Sequence, residues 1–152
     1  MRPLRSDLPT LYGPILAGIW NEASLWMTTI PVPLVLRPVW KFQGHQVGSV
    51  GCNKDLVDPL QKAWSNLIGR NCIGLVSSYD GCLSVRKSRT DQQQSVHSWA
   101  LAVDINASTN LLGTAGNMDA RLIACFVDAG FGWGGNFKTI KDPMHFEFVT
   151  ED

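Results

Sequence analysis

The chain holds only three histidines, and two of them stand where chemistry is plausible. His97 lies in Ser95-Val96-His97-Ser98-Trp99-Ala100-Leu101-Ala102-Val103-Asp104-Ile105-Asn106, with Asp104 inside an otherwise apolar run. A carboxylate there is expensive to bury unless charge or hydrogen bonds compensate it, and a metal ion does so directly. His145 lies in Asp142-Pro143-Met144-His145-Phe146-Glu147-Phe148, again a polar ligand type among apolar neighbours. Two histidines and a carboxylate are a recurrent catalytic zinc set that leaves a fourth position for water. The candidate ligands are therefore His97, Asp104 and His145, holding one Zn2+ per chain.

Asp142 supplies the remaining part. It precedes His145 across Pro143, whose ring favours a fixed bend. A carboxylate beside the metal but not bound to it can take the proton of an attacking water and pass it to a leaving amine. A ligand role for Asp142 stays open, and Glu147 competes as the base. Glu147 is better suited to orienting a histidine through its other ring nitrogen. Taken singly, each of these residues also has an ordinary reading as a core, capping or turn residue. His45, among glycine turns, reads as structural.

The elements that must position these residues are a strand over residues 100–105, leading out of the His97 segment, and another over residues 144–149. Alternation along the second sends His145, Glu147 and Val149 to one face and Met144, Phe146 and Phe148 to the other. A helix is expected over residues 54–68, capped by Asn53 or Asp55, with Leu56, Leu60, Ala63, Trp64 and Leu67 at helical spacing. A second helix is expected over residues 117–129, with Asn117 as its cap and Gly130 as its stop. Residues 72–79 read as a strand followed by a tight Asp80-Gly81 turn. The Pro-rich segment 30–36 reads as an edge strand or an extended arm. The expected fold class is α+β: a small antiparallel sheet with flanking helices, and the zinc site on the sheet face.

A length of 152 residues fits one domain with a single hydrophobic core. Residues 1–50 read as an N-terminal extension packed on or beside the core, and residues 51–152 as the motif-bearing catalytic part. Thirteen basic and thirteen acidic residues give no net charge, which argues against a nucleic-acid partner. The apolar stretch near the start is broken by Pro9, Pro14, Asn21, Glu22, Pro31 and Pro33. Neither a signal peptide nor a membrane span fits it. Synthesis in the cytoplasm is expected, with any export left to another agent, and a monomer is expected. Cys52, Cys72, Cys82 and Cys125 lack paired spacing and read as buried free thiols, a Cys72–Cys82 bridge being the alternative.

The segments 95–106 and 130–147 closely resemble the metal-binding motifs of the D-alanyl-D-alanine carboxypeptidase / L-alanyl-D-glutamate endopeptidase family. That family includes vancomycin-resistance D,D-peptidases and many bacteriophage endolysins. Its patterns, Ser-x-His-x-x-Gly-x-Ala-x-Asp and Asp/Glu-x-x-His-Phe-Glu, are matched in order and spacing, and the resemblance spans roughly residues 50–150. It implies zinc on His97, Asp104 and His145, Asp142 as general base and acid, and a peptide of bacterial peptidoglycan as substrate. It also implies an arginine upstream of the first histidine that holds a substrate carbonyl or carboxylate. Arg86 fits that place, with Arg89 as competitor. Ser95 would bond substrate or cap the turn before His97, and Trp133 would wall the peptide site. One departure is Ala100, where the family commonly has glycine; it implies slightly tighter packing. The function expected is a zinc peptidase of endolysin or virion-lysin type. The alternative is a non-catalytic wall-peptide-binding domain, but decay would strike the ligands or Asp142, and all four are present. A nucleobase deaminase would need His-x-Glu and Cys-x-x-Cys, which the chain lacks.

Overall fold

The computed structural model describes residues 1–151, and its architecture is α+β. The first fifty residues are short pieces. Helix α1 (Leu8–Tyr12) leads into the hairpin of β1 (Ile15–Leu16) and β2 (Ile19–Trp20). Helix α2 (Ala23–Trp26) follows, then β3 (Met27–Pro31) and a 3-10 turn over Leu34–Leu36. Strands β4 (Lys41–Phe42) and β5 (His45–Gln46) form a second hairpin. Strand β6 (Ser49–Asn53) returns antiparallel along the whole of β3. The Pro-rich segment is thus split: Ile30 and Pro31 end a strand, and the rest turns.

Helix α3 (Val57–Gly69) is entered through a 3-10 turn, Lys54–Leu56, which Asn53 caps by accepting the Asp55 amide at 2.9 Å. Leu60, Ala63, Trp64 and Leu67 form its buried stripe, as the spacing predicts. Helix α4 (Ala120–Val127) packs on it through Leu122, Cys125 and Phe126, and the Asn66 amide locks the pair by donating to the Cys125 carbonyl at 2.9 Å. The helix starts later than the sequence suggests. Asp119, accepting the Arg121 amide, is its cap, while the Asn117 side-chain oxygen is taken by the Asn110 amide at 3.3 Å.

The expected strand over residues 72–79 is also replaced. Ile73–Leu75 is a 3-10 turn, and only Tyr79 bridges a neighbour, Ile105. The cause is Asn106, whose side-chain oxygen accepts both the Ser77 and Ser78 amides and whose amide donates to the Leu75 carbonyl. That side chain satisfies the backbone groups a strand partner would have taken.

The sheet that matters to function has three strands: β7 (Ala102–Asp104), β8 (Gly132–Trp133) and β9 (His145–Glu147), with β9 in the middle. Phe146, on its apolar face, stacks on Phe126 of α4 at a centroid distance of 4.6 Å. One apolar cluster joins all of this, with Leu8, Trp20, Leu36 and Trp40 in the same core as Trp64, Phe126 and Phe146. Trp40 stacks on Tyr79 and meets Trp64 edge-on. All four cysteines are buried free thiols. No helix among the described residues is long and apolar enough to cross a membrane.

Candidate metal centre

The register of the central sheet sets Asp104 of β7 directly opposite His145 of β9. His97 comes from the 3-10 turn Val96–Trp99 immediately before β7. Ser95 starts that turn by accepting the His97 amide at 3.2 Å, so its hydroxyl acts as a cap. Three contacts from the early part of the chain then hold the turn. The Asn53 side chain and backbone amide donate to the carbonyls of Trp99 and Ala100, and the Trp99 indole donates to the Gly13 carbonyl.

His97 Nε2, Asp104 Oδ1 and His145 Nδ1 form a triangle with edges of 3.1, 3.2 and 3.3 Å. Tetrahedral zinc with bonds of about 2.0–2.1 Å places its ligand atoms roughly 3.3 Å apart, so the triangle is close to one face of that tetrahedron. The outer nitrogens are held as metal ligands require. His97 Nδ1 donates to the Cys82 carbonyl at 2.7 Å, which turns the lone pair of Nε2 inward. Glu147, 2% exposed, lies 3.8 Å from His145 Nε2 and favours a proton there, which turns Nδ1 inward. Burial alone would raise the Asp104 carboxyl, but the two histidines outweigh it and hold it far below the ordinary carboxylate range. Burial would lower His145, yet Asp104 and Glu147 push it up to about 10. Two buried carboxylates, Asp104 and Glu147, thus face His145, a setting that suits a divalent cation.

Asp142 borders the trio. Burial pushes its carboxyl above the ordinary value, an effect His145 partly offsets, and Oδ1 is buried with no hydrogen-bond partner among the described residues. Its backbone is tightly fixed. The amide donates to the Gly134 carbonyl, the carbonyl accepts the His145 amide, and a Cβ on Gly134 would collide with that carbonyl. The glycine pair is therefore a requirement of close approach: a side chain on Gly135 would strike the Trp133 indole.

A polar cavity of about 20 Å³ is bordered by His97, Asp142 and His145. That is room for about one water-sized group. Arg86, Arg89 and Ser95 line the same cavity, and neither arginine makes an ion pair among the described residues. Arg89 is the one whose charge lowers Asp142. Trp133 does not line this cavity. It faces a neighbouring recess with Arg2 and Glu147, and its indole donates to the Pro143 carbonyl at 2.8 Å. Phe137 stands on the cavity wall instead, 5.8 Å from the His145 ring.

Three participants leave no mark in the sequence. Phe137 sits in no motif, the Cys82 partner is a backbone carbonyl, and Arg5 reaches the cavity from the far N-terminus. Ala100 changes meaning: its φ of +54° lies in the left-handed region. A glycine would meet that backbone need without cost, so alanine here brings strain beside whatever packing its buried methyl adds.

Residues 88–148 match the family model described as D-alanyl-D-alanine carboxypeptidase. No curated protein and no solved structure matched the chain. The matched stretch contains His97, Asp104, Asp142 and His145. The part of the chain that carries these residues, 88–148, is thus similar to the D-alanyl-D-alanine carboxypeptidase family.

Proposed function

We propose that the protein is a zinc-dependent peptidase that hydrolyses amide bonds involving D-amino acids in the stem or cross-link peptides of bacterial peptidoglycan. The observation that carries this reading is Asp142: a carboxylate that lines a water-sized cavity and has one buried, unpartnered oxygen, next to a trio with the dimensions of a zinc face. His97, Asp104 and His145 would hold one zinc, which when bound polarises a carbonyl and makes a water acidic.

The chain's own groups do the rest. Asp142 Oδ1 takes the proton of the attacking water, whose oxygen adds to the scissile carbonyl carbon. The C–N bond then breaks, and Asp142 returns the proton to the departing nitrogen. A carboxyl raised by burial suits both halves of that transfer. Arg86, with Arg89 beside it, would stabilise the oxyanion as fixed cations. Ser95 keeps its substrate-side position while capping the His97 turn. Trp133 acts by holding the Pro143 carbonyl, and so the Asp142–His145 bend, rather than as a wall for the peptide. Glu147 and the Cys82 carbonyl keep the two imidazoles oriented.

A bacteriolytic setting, as a phage endolysin or virion-associated lysin, belongs to the same proposal and rests on the kinship of the motifs. The test is reconstitution with zinc, metal analysis, and mass spectrometry of digested peptidoglycan. One zinc per chain is expected, with fragments bearing new amino termini. Asp142→Asn should retain zinc while kcat/KM falls about 10²–10⁴-fold. A chain that takes up no zinc, or an Asp142→Asn variant with full activity, overturns the reading.

A further inference from the structure

We infer that Cys72 and Cys125 are a dithiol site, which a small-molecule disulfide oxidises to a bond stapling helix α3 to helix α4. The inference is independent of the peptidase reading. The four cysteines are scattered along the chain, yet packing gathers them by twos. The Cys125 thiol of α4 hydrogen-bonds with Cys72, which follows the C-terminal end of α3. Cys82 neighbours Cys52 instead, and its thiol donates to the Ala100 carbonyl at 3.5 Å. The partner that the fold offers Cys72 is therefore Cys125 and not Cys82.

Contacts on either side hold the two sulfurs together. The Asn66 amide of α3 donates to the carbonyl of Cys125 itself at 2.9 Å, and Arg70 pairs with Asp128 at 2.7 Å. The Cys72 amide donates to the Leu67 carbonyl at 2.8 Å, and its thiol to the Arg70 carbonyl at 3.4 Å. Both backbones are thus fixed before any bond forms. A disulfide demands a narrow range of separations, so two thiols already in contact need little movement to reach it. Neither sulfur belongs to the metal centre.

Their surroundings assign the two thiols different roles. Cys125 is fully buried, and burial together with Cys72 pushes its thiol up to about 11, an effect Arg70 partly offsets. Cys72 is 3% exposed and follows two exposed residues, Arg70 and Asn71. Arg70 and Arg121 both lie close enough for their charge to act on its sulfur, and cations there favour the thiolate. Cys72 is therefore the attacking group. Its thiolate displaces one thiol from the small disulfide and leaves a mixed disulfide. Cys125 then gives its proton to solvent and attacks Cys72 Sγ, releasing the second thiol. Two protein thiols are oxidised, and one small disulfide is reduced to two thiols. The bond closes a loop of about 50 residues and so restricts the unfolded chain. Phe126, beside Cys125, stacks on Phe146 of β9, so the staple braces the helix that supports the strand of His145.

The reduced full-length protein, incubated with oxidised glutathione under native conditions, decides the matter. The expected result is a fall in the thiol count from four to two, and an unreduced digest in which the peptide of Cys72 is linked to that of Cys125. The midpoint of thermal unfolding should rise by about 5–10 °C and return when dithiothreitol is added. Cys72→Ala and, separately, Cys125→Ala should show no rise with the oxidant. If either variant fails to fold, the thiol count and the linked peptide of the unaltered chain still decide. Four thiols remaining after an incubation that fully oxidises free dithiothreitol overturn the inference. A linked peptide joining any other pair overturns it too, as does a bond that lowers the midpoint, since either means that the native fold does not hold these two sulfurs in place for each other.

Discussion

Residues 88–148 hold the candidate ligands and Asp142, whereas the first fifty hold none of these yet place Leu8, Trp20, Leu36 and Trp40 in the same core. In the later region the identity of each polar residue matters: only an imidazole, a carboxylate and their spacing build the triangle around Asp104 Oδ1. In the early region, side-chain bulk and backbone groups do the work. The brace on the His97 turn ends on carbonyls of Gly13, Trp99 and Ala100, and only its donors, the Asn53 side chain and the Trp99 indole, ask for particular residues. Chemistry constrains residue types tightly and support constrains them loosely, so the family match begins at residue 88 although the site depends on earlier elements.

If the early region is support, damaging it should cost stability without altering the chemistry. Trp40→Ala is the strongest such test. The side chain is fully buried, stacked on Tyr79 and set edge-on to Trp64. Truncating a buried Trp costs about 3–5 kcal/mol. The indole nitrogen is buried and unpartnered, so its removal returns part of that, and the lower end is expected. In a domain of this size the midpoint of thermal unfolding should fall by about 10 °C. Zinc content and kcat/KM per folded molecule should hold below the transition. A matching drop in kcat/KM would show that this region shapes the chemistry itself.

What could be read from the sequence divides along the same line. His97, Asp104 and His145 were legible because polar ligand types in apolar runs are costly without a partner. Helix α3 was legible because its stripe repeats at helical spacing. That Asp104 faces His145 across two strands was not, since register depends on pairing between distant segments. Nor could spacing reveal that Asn106 occupies the amides of residues 77 and 78, or that the Asn110 amide takes the side-chain oxygen of Asn117. A side chain that substitutes for a strand or occupies a cap leaves the local pattern looking regular. Arg5 was illegible for a related reason: its partners Asp91 and Glu151 lie 86 and 146 residues further along the chain.

Arg5 probes the junction of the two regions more gently. It clamps the loop between Lys87 and Gln94 through Asp91 and the Gln94 carbonyl, while its backbone amide bonds Thr150. Arg5→Ala should cost about 1 kcal/mol, because Asp91 is substantially exposed and the pair is screened. Burial would raise the Asp91 carboxyl, but Arg5 outweighs it and holds it below the ordinary value. A depressed carboxylate stabilises the fold above its unfolded-state pKa and loses that contribution as pH falls through the folded value. The gap in unfolding midpoint between wild type and Arg5→Ala should therefore be full near neutral pH and shrink below about pH 4. A gap that is constant down to strong acid would show that lost packing, not the ion pair, causes it.

Ala100 lies where motif and support touch, and the effect expected there is the smallest. Its left-handed backbone carries a Cβ that costs an L-residue roughly 1–2 kcal/mol, and Asn53 holds its carbonyl in place. Ala100→Gly removes that strain but gives the unfolded chain more freedom, worth about 0.4–1 kcal/mol in the other direction. The balance is a gain of roughly 0.5–1 kcal/mol, read as a small rise in the unfolding midpoint, with zinc binding and kcat/KM unchanged. Ala100 is also fully buried, so its methyl has neighbours to lose. A variant that proves less stable would mean those contacts outweigh the strain, and that the support around His97 has been rebuilt to use the alanine.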